Sequence, residues 1–229
     1  MKLLLFDIDG TMLTTQGVGR QAVERALSTL TGEPVSAQGI PFSGKTDPQI
    51  LREVLLAHGL TDVPAPLLQE AVALYVEAMH ELLVPERVRL LDGVRPLLEH
   101  LQTRPDVHLA LLTGNVEPMA YLKLRAVGLD HHFAFGAFGS DHADRAELPP
   151  IAIRRARAHT GHTFHGPDVV IIGDTEHDIC CGRGVGAFSV AVCTGHFSRD
   201  HLATFGPDVL LDDLRDPALF VRHVMHRAA

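Results

Sequence analysis

The chain has 229 residues, of which 46% are hydrophobic and 21% charged, with a formal net charge of -8 and a sequence pI ≈ 6.0. That balance is ordinary for a folded globular protein; it argues against a disordered chain and against a nucleic-acid partner, which selects basic surfaces. Three cysteines make no disulfide framework, no apolar run approaches the ~18 residues of a membrane span, and acidity at Asp7 interrupts any signal sequence, so a cytoplasmic protein with no membrane partner is expected.

The first element is a strand. Residues 3–6, LLLF, end in two carboxylates one residue apart and then a glycine, the mark of a short buried strand with a punctuated end. Side chains alternate faces along a strand, so Asp7 and Asp9 would share a side, about 7 Å apart between Cα atoms. Carboxylates that close repel, and a shared proton or a bound cation relieves the repulsion. Taken alone, Asp-Gly turn chemistry at a strand end explains the stretch equally well.

Residues 14–19 read as a loop with glycine hinges at Gly17 and Gly19. Three helices follow, over 20–30, about 47–58 and about 66–83, with no convincing strand between them. They predict an α-helical unit over residues 15–88, inserted into a core made of residues 1–14 and 89–229. From Asp92 onward helix and strand alternate: helices over 94–102, 117–127 and 148–159, strands over 107–113, 168–173, 187–193 and 208–211, a weaker strand over 133–138, and short helices from 175 and 198. Alternation of this kind means parallel pairing and right-handed crossovers, hence an α/β doubly wound sheet.

Asp174 follows the apolar strand DVVIIG, and Asp178 lies one helical turn beyond it. In an open α/β sheet the carboxyl ends of the strands hold the ligand, which puts Asp174 and Asp7 on one edge if their strands are neighbours. Both aspartates could instead cap the following helix. Thr113, Gly114 and Asn115 end another strand where a helix begins, a place suited to phosphate oxygens and equally to an ordinary turn. The histidines, including His131 and His132, lack matching cysteine pairs, so no zinc site is expected.

DIDGT at residues 7–11, LLTGN at 111–115, Arg145 ahead of a helix and GDTEHD at 173–178 stand in an order that resembles the haloacid dehalogenase superfamily of phosphohydrolases. The resemblance implies a Rossmann-like core with the Asp7 strand central, a helical cap between the first two motifs, and a phosphoglycolate phosphatase-like enzyme. It also implies roles. Asp7 would be the nucleophile and Asp9 the general acid and base, with Asp7, the Asp9 carbonyl and Asp174 holding Mg²⁺ and Asp178 holding a metal-bound water. Thr113, Gly114 and Asn115 would bind phosphate. The family's lysine, often followed by proline, is missing; Arg145 is the best-placed cation and Lys123 the fallback. In the inserted helices, SGKTD at 43–47 resembles a substrate-facing loop through Lys45 and Thr46, although Thr46 or Asp47 could serve only as a helix cap. A small phosphorylated metabolite is the implied partner of a monomer or homodimer. A phosphomutase and a non-catalytic phosphometabolite-binding protein are the rival readings, and Cys180 and Cys181 have no assigned role.

Overall fold

The structure, a computed structural model, describes residues 1–225. In chain order the described residues form β1 (Lys2–Phe6), β2 (Leu13–Thr14), α1 (Val18–Thr31), α2 (Asp47–Ala57), α3 (Ala65–Leu82), β3 (Arg89–Leu90), α4 (Val94–Gln102), β4 (Val107–Thr113), α5 (Glu117–Ala126), β5 (Gly136–Phe138), α6 (Leu148–Thr160), β6 (Val169–Gly173), α7 (Glu176–Cys181), β7 (Phe188–Val192), α8 (Arg199–Thr204), β8 (Val209–Leu211) and α9 (Pro217–Met225). One six-stranded sheet runs β5-β4-β1-β6-β7-β8 with every pairing parallel, so β1 is central between β4 and β6. This is the Rossmann-like α/β architecture expected.

β1 shows why the run LLLF cannot be a surface strand. Leu3, Leu4, Leu5 and Phe6 are all 0% exposed, and they alternate between two cores. Leu4 and Phe6 join Leu111, Val170 and Ile172 on the face covered by Leu97, Leu101, Leu124 and Phe220; Leu3 and Leu5 join Ala110, Leu112 and Ile171 against Leu148, Ala152 and Ala156 of α6. A strand covered on both faces has no polar side to spare, and each leucine so buried contributes about 1.5–3 kcal/mol.

The helices α1, α2 and α3 follow one another between β2 and β3, where the sequence predicts the inserted unit. Val18, Ala22, Val23, Ala26 and Leu27 of α1 are buried, as are Ala71, Tyr75, Ala78 and Met79 of α3, and both sets belong to the same cluster as Leu4 and Phe6. Apolar packing therefore runs without a break from these helices into the sheet. The inserted chain leaves through β2 and returns through β3, which pair antiparallel as a two-residue ribbon, Leu13 opposite Leu90 and Thr14 opposite Arg89.

Differences from expectation are local. The weak strand starts at Gly136 rather than residue 133, because the preceding residues form a short 3-10 turn at Asp130–His132. The ribbon was not anticipated, since two residues per strand leave no period to read. α9, also unanticipated, buries Phe220, Val221 and Val224. No helix among the described residues is long and apolar enough to cross a membrane.

Candidate active site

β1 stops at Phe6, and the chain turns at once: the Ile8 carbonyl accepts from the amides of Thr11, Met12 and Leu13. The turn sends the two aspartates to different partners. Asp7 is buried, and one of its carboxylate oxygens lies within 4.8 Å of one from Asp174 and one from Asp178. Asp9 faces α5 instead, its Oδ2 accepting from Lys123 Nζ at 2.6 Å and from Asn115 Nδ2 at 2.8 Å. The pair does not share one cation through its side chains, as strand alternation alone suggested.

Asp174 follows β6, the neighbour of β1, and accepts from Thr11 Oγ1 at 2.9 Å. Gly10, at φ 80°, and Gly195 pack directly on its carboxylate, and a Cβ at either would overlap it. Asp178 uses its two oxygens differently. Its Oδ2 accepts from the Thr175 amide at 3.0 Å and from Thr175 Oγ1 at 2.7 Å, closing a capping box on α7, while its Oδ1 accepts from Arg145.

Arg145 supplies the counter-charge. It is buried, 3.2 Å from Asp7 Oδ1 and in contact with Asp178. Its Nε is buried without a hydrogen-bond partner. Burial works against the Arg145 charge, but Asp178 and Asp7 more than restore it and its pKa stands above the ordinary value. The carboxylates are less well compensated. Burial pushes Asp7 up to about 7, with Asp178 and Asp9 adding to it and Arg145 opposing; burial, Asp178 and Asp7 likewise raise Asp174. Three acids facing one guanidinium leave an excess of negative charge in a buried place. A divalent cation fits that excess, and an all-oxygen donor set suits a hard ion.

Thr113 ends β4 at 0% exposure, and its Oγ1 accepts from Asn115 Nδ2 at 2.8 Å. Gly114 allows a close approach from the inserted helices: a Cβ there would overlap the Lys45 carbonyl. Across this contact the Asp47 amide donates to the Gly114 carbonyl at 2.8 Å, and Asp47 Oδ2 accepts from the Val116 amide at 2.8 Å. Asp47 thus satisfies a backbone donor at the N-terminus of α5 from another part of the chain. Tyr75 Oη donates to Asp47 Oδ1 at 3.4 Å.

Together these groups line a cavity of about 430 Å³ that includes Asp7, Asp9, Thr113, Gly114, Asn115, Lys123, Arg145 and Asp174 from the core, and Arg20, Phe42, Lys45, Asp47, Ile50 and Tyr75 from the inserted unit. Thr46 is not among the lining residues. Its hydroxyl donates to the Ala143 carbonyl at 2.8 Å and accepts from the Gln49 amide at 3.3 Å, so it caps α2 and ties it to the core. Lys45 does line the cavity, with its amine paired to Glu53. Cys181 is buried, its thiol pushed up to about 12 chiefly by that burial. A thiol held protonated in this way is inert.

Asp47 and Tyr75 were missed as site residues: an acid after Thr46 reads as capping, and Tyr75 reads as part of an apolar stripe. Asp47 carries a testable consequence. Burial raises its pKa from 3.8 to about 6, against the pull of Lys123 and the Val116 amide. The folded state therefore holds this proton more tightly than the unfolded chain, so the contribution to stability is complete below pH 4 and is lost as pH rises through 6. Asp47→Asn keeps an acceptor for Val116 and removes the charge. Between pH 4 and 7 wild type should lose about 2–3 kcal/mol relative to Asp47→Asn. Urea unfolding of both proteins across that range, without metal, measures it; a constant difference would refute the assignment.

A family model for haloacid dehalogenase-like hydrolases matches residues 1–186. Pyrophosphatase PpaX of Listeria welshimeri is 26% identical over 224 residues, covering 96% of this chain and 95% of that one. Phosphoglycolate phosphatase of Pseudomonas putida is 26% identical over 219 residues, covering 93% and 77%. Among solved structures, a predicted phosphoglycolate phosphatase from Haemophilus somnus superimposes with TM-score 0.71 at 20% identity, over 96% of this chain and 98% of that one, and a hydrolase from Pseudomonas syringae with TM-score 0.70 at 19%, over 100% of both. With the match spanning all four sequence motifs and the strand tips that gather the carboxylates, the chain belongs to the haloacid dehalogenase-like hydrolase family.

Proposed function

We propose that this protein is a Mg²⁺-dependent cytoplasmic phosphatase of a small phosphorylated metabolite, with phosphoglycolate-like esters the favoured substrates. One observation carries the reading: Asp7, at the tip of the central strand, meets Asp174, Asp178 and Arg145 at the base of a cavity that Thr113, Gly114 and Asn115 also line. The relatives named phosphatase and pyrophosphatase support the same class of chemistry.

Asp7 attacks phosphorus in line; its Oδ–P bond forms as the bond to the ester oxygen breaks, leaving an aspartyl-phosphate. Asp9 gives a proton to the departing oxygen and later takes one from the water that hydrolyses the intermediate. Arg145, which lines the cavity, sets its guanidinium charge against the phosphoryl group, and the Gly114 and Asn115 backbone with the Thr113 hydroxyl orient its oxygens. Asp7, the Asp9 carbonyl and Asp174 would hold Mg²⁺, which when bound neutralises phosphoryl charge and the excess charge of the carboxylates. The inserted helices close over the cavity through the ribbon β2–β3 and keep out bulk water.

Purified protein should hydrolyse p-nitrophenyl phosphate with Mg²⁺ and lose at least about 10²-fold of that rate in excess EDTA. A panel of phosphorylated metabolites then ranks the substrates, with phosphoglycolate expected near the top. Transfer of phosphate to a sugar in preference to water would establish a phosphomutase instead, and tight binding of a phosphometabolite without turnover would establish a sensor.

A further inference from the structure

The chemistry above gives Asp7 a cation of its own in Arg145. It leaves Lys123 without work, although the structure buries that lysine at considerable cost. Lys123 shares one face of α5 with Met119, Ala120 and Leu124, and only 4% of it is exposed. An ammonium in such a stripe loses most of its hydration, and an ion pair whose other member is largely open returns little stability for it. Its partner is of that kind: the Asp9 side chain is 42% exposed.

The contacts form a closed triangle. Lys123 Nζ donates to Asp9 Oδ2 at 2.6 Å and to Asn115 Oδ1 at 2.5 Å, and Asn115 Nδ2 donates back to Asp9 Oδ2 at 2.8 Å. Asn115 is itself fixed by its Nδ2–H to Thr113 Oγ1 at 2.8 Å. Both bonds to the carboxylate fall on Oδ2. They select one rotamer of an otherwise exposed aspartate and leave Oδ1 as the oxygen for the cavity that Asp9 lines. The base of the triangle is anchored from the inserted unit, because Asp47 holds the Val116 amide at the start of α5.

Resting on the phosphatase reading, we propose that Lys123 is the positioning residue for the proton-transferring carboxyl, holding Asp9 through Oδ2 so that Oδ1 meets the ester oxygen as it leaves. The two buried cations of the cavity thereby divide the work. Arg145 serves the attacking carboxylate, and Lys123 serves the group that protonates the leaving oxygen.

Leaving-group dependence separates this role from a structural one. An alkyl oxygen must be protonated as it departs, whereas p-nitrophenolate leaves without a proton. With Mg²⁺ present, Lys123→Met should lower kcat/KM, which reports phosphoryl transfer to Asp7 and not the later hydrolysis common to all esters, by about 10²-fold on phosphoglycolate and glycerol phosphate and by less than about 3-fold on p-nitrophenyl phosphate. Lys123→Arg, which restores a charged donor, should recover part of the alkyl-ester rate, and adding Lys123→Met to Asp9→Asn should cost nothing further. Should Lys123→Met fail to fold, Lys123→Gln carries the same comparison. Equal losses in kcat/KM on alkyl and aryl esters, or no loss on either, would overturn the proposal. Wild type inert toward every ester would instead overturn the phosphatase reading and this role with it, so the two failures are distinguishable.

Discussion

Asp7→Asn should abolish turnover, by about 10⁴-fold or more, and at the same time make the metal-free protein harder to unfold at pH 8. The first effect follows because an amide oxygen is a poor nucleophile and no other carboxylate stands at the tip of β1; Asp9 is turned toward Lys123. The second follows from burial, which pushes the Asp7 carboxyl up to about 7. At pH 8 the native state must hold as an anion a group that the unfolded chain ionises near pH 4, and that costs stability. Asparagine removes the cost. A gain of about 1–3 kcal/mol is expected at pH 8, or several degrees in Tm for a chain of this size. Near pH 4, where both states keep much of the proton, the advantage should vanish. Thermal scans in EDTA at the two pH values measure this; an Asn variant less stable than wild type at pH 8 would refute it.

Arg145→Met should have the opposite effect on stability and a similar one on activity. The guanidinium contacts both Asp7 and Asp178 inside the fold. Without it, Asp7, Asp174 and Asp178 form an acidic cluster with no cation in contact among the described residues, and breaking a buried pair in this way costs about 3–5 kcal/mol. The rate should fall about 10³-fold, since the charge facing the transferring phosphoryl group is lost as well. Arg145→Lys should recover most of the stability but less of the rate, because an ammonium cannot span two carboxylates and a phosphate with a fixed fork. Divalent cation should also stabilise Arg145→Met more than wild type, having more uncompensated charge to neutralise. Unfolding midpoints with Mg²⁺ and with EDTA test this directly, and an Arg145→Met protein as stable as wild type in EDTA would contradict it.

What could be read in advance follows the range of the forces involved. β4 and α4 appear with the expected limits, because each carries its own periodicity and its own stop signal. The order of the sheet came from the family resemblance, as no local pattern encodes which strand lies beside β1. At the site, Asp7 and Asp174 were legible because each follows an apolar strand directly. Asp178 admitted two readings, helix cap and holder of a metal-bound water; one of its oxygens caps α7 and the other accepts from Arg145. Asp47, Tyr75 and the Lys123 triangle were not legible as a group. Their contacts join positions 28, 69 and 114 residues apart, and each alone looks like a cap, a core aromatic or a surface cation. Thr46 was given a substrate-facing role on resemblance, and its hydroxyl is taken by α2 and Ala143.

The ribbon of β2 and β3 brings the exit and return of the inserted helices to opposite positions of one two-residue ladder. Seen from β1 and α4, an excursion of more than seventy residues therefore has the end-to-end reach of a tight hairpin, and loop-closure entropy grows only logarithmically with what hangs beyond it. Length in the excursion can therefore drift while the parallel sheet keeps its register, as long as the apolar packing of α1 and α3 on the sheet and the hold of Asp47 on the Val116 amide are kept.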